Sequence, residues 1–183
     1  KDIGVLDYYI FPVNIGKLLF KRSVLKHLSF VIAYIISFSF RLFYIRSKKI
    51  SLKKIYIDIN DKTKKERFFL DSYKYLNLSK NNWACYRIYE EAGVKVAYIV
   101  YINNQSKKNL ALIIFKLVSD LGLKIDLIMY IGNLKHRPIN LIKVPEKLKP
   151  RKMNFIGLSR DENKQEILDF NNRNVSLADF DNR

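Results

Sequence analysis

The chain is predicted to fold as α+β: a mixed sheet flanked by helices, with an α/β-type unit at its centre and a long connecting helix before it. Three observations predict this. Val94–Asn103 (VKVAYIVYIN) is too apolar throughout to be a strand with one wet face. Leu110, Ile113, Ile114, Leu117 and Leu121 then recur at helical spacing. Ile125–Ile131 is a second apolar strand. Two such strands joined by a helix are most simply parallel neighbours linked by a right-handed crossover.

The remaining elements follow in order. Ile3–Phe11 reads as a strand that Pro12 ends. Asn14 is placed to cap a helix running from Ile15 towards Arg46. Its middle, Leu28–Phe40 (LSFVIAYIISFSF), carries no charge, with Lys17, Lys21, Arg22 and Lys26 before it and Arg41, Arg46, Lys48 and Lys49 after. A membrane span wants about 20 apolar residues, and this run falls short even with His27 included. Basic residues flank both ends equally, so they set no orientation. A buried or connecting helix is the expectation, and a basic helix lying on a membrane surface is the alternative.

Lys53–Asn60 alternates as a strand. Asn60-Asp61 precedes an expected helix, Lys64–Leu76, with Phe68, Phe69, Tyr73 and Leu76 on its buried side. Ala84–Glu91 and Val94–Asn103 flank Ala92-Gly93, a turn signal for an antiparallel hairpin. Ser106 suits the N-cap of the central helix, and Gly122 stands where a left-handed C-cap is expected. Across residues 133–150 (NLKHRPINLIKVPEKLKP), Pro138, Pro145 and Pro150 leave room for one short strand at most. Met153–Leu158 reads as a strand, Arg160–Leu168 as a polar helix or loop, and Val175–Ala178 as a last short strand.

With 183 residues, 49% hydrophobic and 28% charged, the chain can bury one good core. A net charge of +17 favours anionic partners: a phosphorylated cofactor, membrane headgroups or nucleic acid. Abundant Ile, Asn, Tyr and Phe beside the lysines are also what a coding bias produces, so charge alone names no partner. No recognition helix, zinc finger or paired-aromatic sheet motif accompanies the charge, and nucleic acid is not expected. The single cysteine, Cys85, rules out an internal disulfide framework and suits the reducing cytoplasm. The first residues read as a strand containing Asp2 and Asp7 rather than as a secretory signal. Starting in mid-pattern, they are expected to open a C-terminal piece of a longer protein.

Catalytic motifs are absent. The sequence has no HExxH, no GxSxG, no GxxxxGK[ST] and no cysteine pair at metal-ligand spacing. His27 and His136 lie far apart, and Cys85 falls in an expected strand, where a small buried hydrophobe is the ordinary role. The most informative stretch is the turn of Asn103, Gln105, Ser106, Lys107, Lys108 and Asn109. There a polar loop meets a helix N-terminus that could hold a pyrophosphate through backbone N–H groups. The plainer reading is a capped helix start with solvated lysines. The lack of glycine favours it, because a phosphate cradle needs close backbone approach.

Three stretches then carry a family likeness: residues 1–19 (KDIGVLDYYIFPVNIGKLL), the unit 94–132, and the tail 167–183 (ILDFNNRNVSLADFDNR). Together they resemble the GCN5-related N-acetyltransferase (GNAT) superfamily, and more narrowly its tandem two-lobed members among bacterial surface-polysaccharide acylation proteins. The resemblance implies that residues 1–13 close an upstream lobe, 14–50 form the connecting helix and 51–183 a GNAT-like C-terminal lobe. It implies direct transfer of an acyl group from acetyl-CoA or another acyl-CoA to an amine, here an amino sugar or similar acceptor. In the family the signature R/Q-x-x-G-x-G/A binds the cofactor pyrophosphate. Gln105 matches its first position, but Lys108 and Leu110 stand where glycine belongs, and Arg173 replaces a tryptophan of the tail pattern. The departure implies a lobe degenerate for cofactor, inactive alone and holding none, with acyl-CoA bound by the upstream lobe. Tyr130 falls nearest the family's thiolate-protonating tyrosine, though an aromatic at a strand end is commonly packing. The partners so implied are the upstream lobe and a small-molecule amine, while the basic apolar helix, apart from the resemblance, adds a peripheral membrane contact as an alternative.

Overall fold

Val94–Ile102 and Leu127–Gly132 form the middle of a six-stranded sheet, and their apolar character follows from burial on both faces. The structure is a computed structural model and describes residues 2–20, 26–46, 73–79, 82–134, 137–149 and 154–156. In chain order the strands are β1 (Asp2–Val5), β2 (Asp7–Pro12), β3 (Lys74–Ser79), β4 (Asn82–Glu91), β5 (Val94–Ile102), β6 (Leu127–Gly132), β7 (Ile142–Lys143) and β8 (Asn154–Ile156). The helices are α1 (Ile15–Phe20), α2 (Lys26–Arg46) and α3 (Lys107–Leu121), with a 3-10 turn at Glu146–Leu148. The main sheet runs β3-β4-β5-β6-β2-β7, and β1 pairs with β8 apart from it. The fold is α+β with a mixed sheet, as expected.

β5 and β6 are parallel neighbours, paired from Val96–Leu127 to Ile99–Tyr130, with α3 as the connection between them. Every other pairing in the main sheet is antiparallel. The β4–β5 hairpin turns through Ala92 (φ 49°) and Gly93 (φ 77°), the pair of positive φ values that a tight two-residue hairpin requires. On one face of the sheet Leu110, Ile113, Ile114 and Leu117 of α3 pack over Ala97, Ile99, Ile128 and Tyr130. On the other, Trp83, Cys85, Val96, Tyr98 and Tyr101 form a second cluster, with the Trp83 and Tyr101 rings 4.9 Å apart.

Several expectations are corrected. The single strand Ile3–Phe11 is two, because the chain leaves one sheet for the other at the fully buried Leu6. The second of them, Asp7–Pro12, lies within the main sheet between β6 and β7. The expected helix to Leu76 is a strand over its last residues. Exposed Tyr75 and Asn77 flank buried Leu76, and pairing with β4 outweighs the helical spacing. Gly122 is right-handed (φ −50°, ψ −39°), so a left-handed cap is not its role. A Cβ there would lie 2.2 Å from the Phe30 ring, so this glycine lets α2 approach the end of α3. The expected helix from Ile15 to Arg46 is described as α1 and α2, with residues 21–25 between them outside the described residues. Also outside are the expected strand 53–60, residues 64–72, His136, the stretch 160–168 and the tail 167–183 with its strand 175–178.

Asp126, just before β6, braces the end of the sheet where β6 starts. Its carboxylate accepts from Lys17 Nζ (2.7 Å), Asn14 Nδ2 (2.9 Å) and the Lys95 backbone N–H (2.9 Å). Asn14 Oδ1 in turn accepts the Lys17 N–H at 3.1 Å, capping α1 as expected. Burial would raise the Asp126 carboxyl, but Lys17, the Lys95 N–H and Asn14 outweigh it and hold it below its ordinary range.

Candidate functional site

The site is assembled where the parallel pair stops pairing. The β5–β6 ladder ends at Ile99 and Tyr130, although β5 runs on to Ile102 and β6 to Gly132. The β4–β5 register shifts at the same place: Cys85 pairs with Tyr101 and Tyr86 with Ile99, leaving Val100 as a bulge residue. A bulge sharpens local twist and re-aims the strand end. Crevices outside the carboxyl ends of parallel strands are where open α/β sheets bind ligands.

The loop that crosses this position is held by its own polar groups. Asn103 Oδ1 accepts the Trp83 N–H at 2.8 Å, and the Asn103 N–H donates to the Trp83 carbonyl at 3.2 Å, tying the loop to β4. Asn104 Nδ2 donates to Asn82 Oδ1 (3.0 Å), while Asn104 Oδ1 accepts the Ser106 N–H (3.1 Å). Ser106 is the N-cap, its hydroxyl accepting the Asn109 N–H at 3.3 Å. Asn109 is buried, and its Nδ2 donates to the Asn104 carbonyl at 2.6 Å. Its Oδ1 is buried without a partner.

Gln105 closes the site. Its Nε2 donates to the Tyr130 hydroxyl oxygen at 2.8 Å, and both side chains are buried. Tyr9 stands opposite Tyr130 across β2–β6, with ring centroids 6.3 Å apart. The Tyr9 hydroxyl donates to Asp7 Oδ2 at 3.3 Å. Burial and then the Asp7 carboxylate push the Tyr9 phenol up to about 12. Asp7 is itself paired with Lys143 (2.6 Å) and Lys149 (3.2 Å), and Lys149 also meets Glu146. Burial would raise the Asp7 carboxyl, but the two ammonium groups outweigh it and hold it low.

The six candidate residues thus share one loop but not one task. Asn103, Gln105, Ser106 and Asn109 hold the loop in place. Lys107 and Lys108 remain exposed, with the backbone N–H groups that a helix start orphans. The result is a helix start capped by Ser106. Sequence reasoning reached Gln105 and Tyr130 separately but not their bond, which joins residues on either side of α3. It missed Tyr9 and Asp7 as neighbours, because strand pairing between distant segments has no local signal. Among the described residues, no group of three or more His, Cys, Asp and Glu could hold a metal ion. Compared with protein-family models, curated proteins and solved structures, the chain matches none.

Proposed function

We propose that the chain is part of an acyl-CoA-dependent N-acyltransferase acting on an amino sugar or similar amine in surface-polysaccharide synthesis. In this reading the lobe shapes the acceptor side and holds no cofactor of its own. The observation that carries it is the Gln105–Tyr130 bond, placed at the carboxyl ends of a parallel strand pair and sealing them. Moving an acyl group from sulfur to nitrogen needs a base for the amine proton, donors facing the carbonyl oxygen, and an acid for the thiolate. Tyr130 is the group here best suited to the last task. Its hydroxyl oxygen accepts from Gln105 Nε2 at 2.8 Å. Buried beneath Gln105, it is at rest, which supports assigning acyl-CoA chemistry to another lobe of the full-length protein. The buried Cys85, the one cysteine of the sequence, suits a reducing cytoplasmic location.

Calorimetric titration tests the two halves of this reading separately. CoA and acetyl-CoA injected into the chain are expected to give no binding heat, and a panel of nucleotide-linked amino sugars is expected to include a binder. Tight CoA binding would overturn the closed-loop half. A panel without a single binder would overturn the acceptor half.

A further inference from the structure

α2 turns an apolar face to solvent. Leu28, Val31, Ile32, Ile35, Leu42 and Phe43 are 41% to 58% exposed and recur along one side of the helix. The opposite side is fixed to the protein. Ser29 Oγ accepts the Gly16 N–H at 3.2 Å, Ala33 and Ser37 are buried, and Phe30 fills the space left by Gly122. Tyr34 and Phe38 pack on Phe115 with ring centroids 5.5 and 5.9 Å away, and the Arg41 guanidinium lies 4.7 Å from the same ring. By length and composition the window Lys26–Phe43 could cross a membrane, yet this side chain by side chain attachment ties one flank of it to α3.

Charge along this stretch of sequence is of one sign. Lys17, Lys21, Arg22 and Lys26 precede the apolar run in sequence, Arg41, Arg46, Lys48 and Lys49 follow it, and no acidic residue lies between Asp7 and Asp58. We infer that the outward face of α2 docks into the headgroup–acyl boundary of an anionic lipid bilayer, with the helix lying in the plane of the membrane. An apolar face on a stretch of sequence with basic residues before and after it, and no acidic one, meets both demands of that boundary, since the side chains enter the acyl edge and neighbouring positive charge attracts lipid phosphates. A second copy of the chain is the poorer occupant, because it would bring the same basic, acid-free stretch of sequence to both sides of the contact. While α2 stays packed on α3, its outward side is the one offered to lipid. This inference stands apart from the acyltransferase reading and uses none of its residues.

The test is flotation of the full chain with vesicles of phosphatidylglycerol and phosphatidylcholine, beside vesicles of phosphatidylcholine alone. Binding is expected to anionic vesicles, at least about tenfold weaker to neutral ones and weakened by salt. The double variant Ile32→Ser, Ile35→Ser is expected to lose about tenfold or more in affinity while its thermal unfolding is unchanged. In a second measurement, Ile35→Cys carries an environment-sensitive fluorophore whose emission is expected to shift to the blue on adding anionic vesicles. Cys85, being buried, leaves the new thiol as the reactive one. Failure to float, equal binding to neutral vesicles, or concentration-dependent dimers without flotation would overturn the inference. So would an Ile35→Cys thiol that resists labelling without lipid, since the face would then be covered by the chain itself.

Discussion

α2 and α3 lie side by side and are both rich in large apolar residues, but only one obeys the pattern of a helix on a sheet. α3 keeps Lys107, Lys108, Lys116 and Asp120 on the outside and buries Leu110, Ile113, Ile114 and Leu117. That division is the amphipathic rule, with an apolar stripe towards the core and charge towards water. α2 has no such outer face. Only 17% of its Lys26–Phe43 window is buried, although the window is apolar nearly throughout. The difference teaches that apolar content and burial are separate properties. α3 is explained by the protein around it, whereas α2 carries more apolar surface than the described residues cover.

The largest effect that would break this comparison is a pair of truncations measured by urea denaturation. Ile114→Ala, in the fully buried stripe of α3, is expected to cost about 2 to 5 kcal/mol through lost burial and the cavity left behind. Ile35→Ala, on the outward face of α2, is expected to fall within about 0.5 kcal/mol of the parent. Comparable losses at the two positions would mean that the two helices are equally buried in solution.

The contact between the helices supplies the next test. Gly122→Ala places a methyl group against the Phe30 ring and is expected to destabilise by about 1 to 3 kcal/mol through overpacking. Phe30→Ala in the same chain is expected to relieve that clash, so the double variant should lose less than the two single losses added together. Strict additivity would show that Gly122 does not set the approach of α2.

How much of this could be read from the sequence depends on the range of the forces involved. The β5–α3–β6 unit was legible because its apolar spacing, the Ser106 cap and the Ala92-Gly93 turn are all local signals. Gly122 was misread for the same reason. A glycine after a helix is a local sign of a left-handed cap, while the constraint on it comes from Phe30, far away in the chain. The strand over Lys74–Ser79 was hidden because pairing with β4, not its own spacing, decides its state. At the site, Gln105 was legible as a loop residue, but its use as a donor to Tyr130 required the strands to be in place first. Asp126 carried no signal at all, since a lone aspartate before a strand is ordinary until Lys17, Asn14 and Lys95 converge on it.

That convergence is a third point of comparison, because it anchors α1, the helix leading to α2, by charge rather than by burial. Asp126→Asn is expected to cost about 1 to 3 kcal/mol at neutral pH, tempered by the partial exposure of Lys17. The folded carboxyl titrates below its ordinary value of 3.8, so its stabilisation is complete above that value. It is lost as pH falls further, through the depressed folded value. Acid denaturation of the parent should therefore steepen below about pH 4, and the variant should lack part of that slope. An unchanged acid limb would mean that Asp126 does not hold the negative charge assigned to it.

The smallest effect concerns the start of α3, where the helix depends on a side chain instead of on the core. Ser106→Ala removes the acceptor for the Asn109 N–H and is expected to cost about 1 kcal/mol, while Ser106→Gly should cost only a few tenths. The same cap sits next to Gln105, so the two substitutions also report on the loop that seals Tyr130. If the loop is held chiefly by Asn103 and Asn109, the loss will be confined to stability and the Tyr130 hydroxyl will stay shielded from solvent. A rise in tyrosine accessibility in Ser106→Ala, followed by ultraviolet difference spectra, would show that the cap and the seal are a single device. In that case the helix start of α3, the better buried of the two helices, would be the part of the molecule most easily opened.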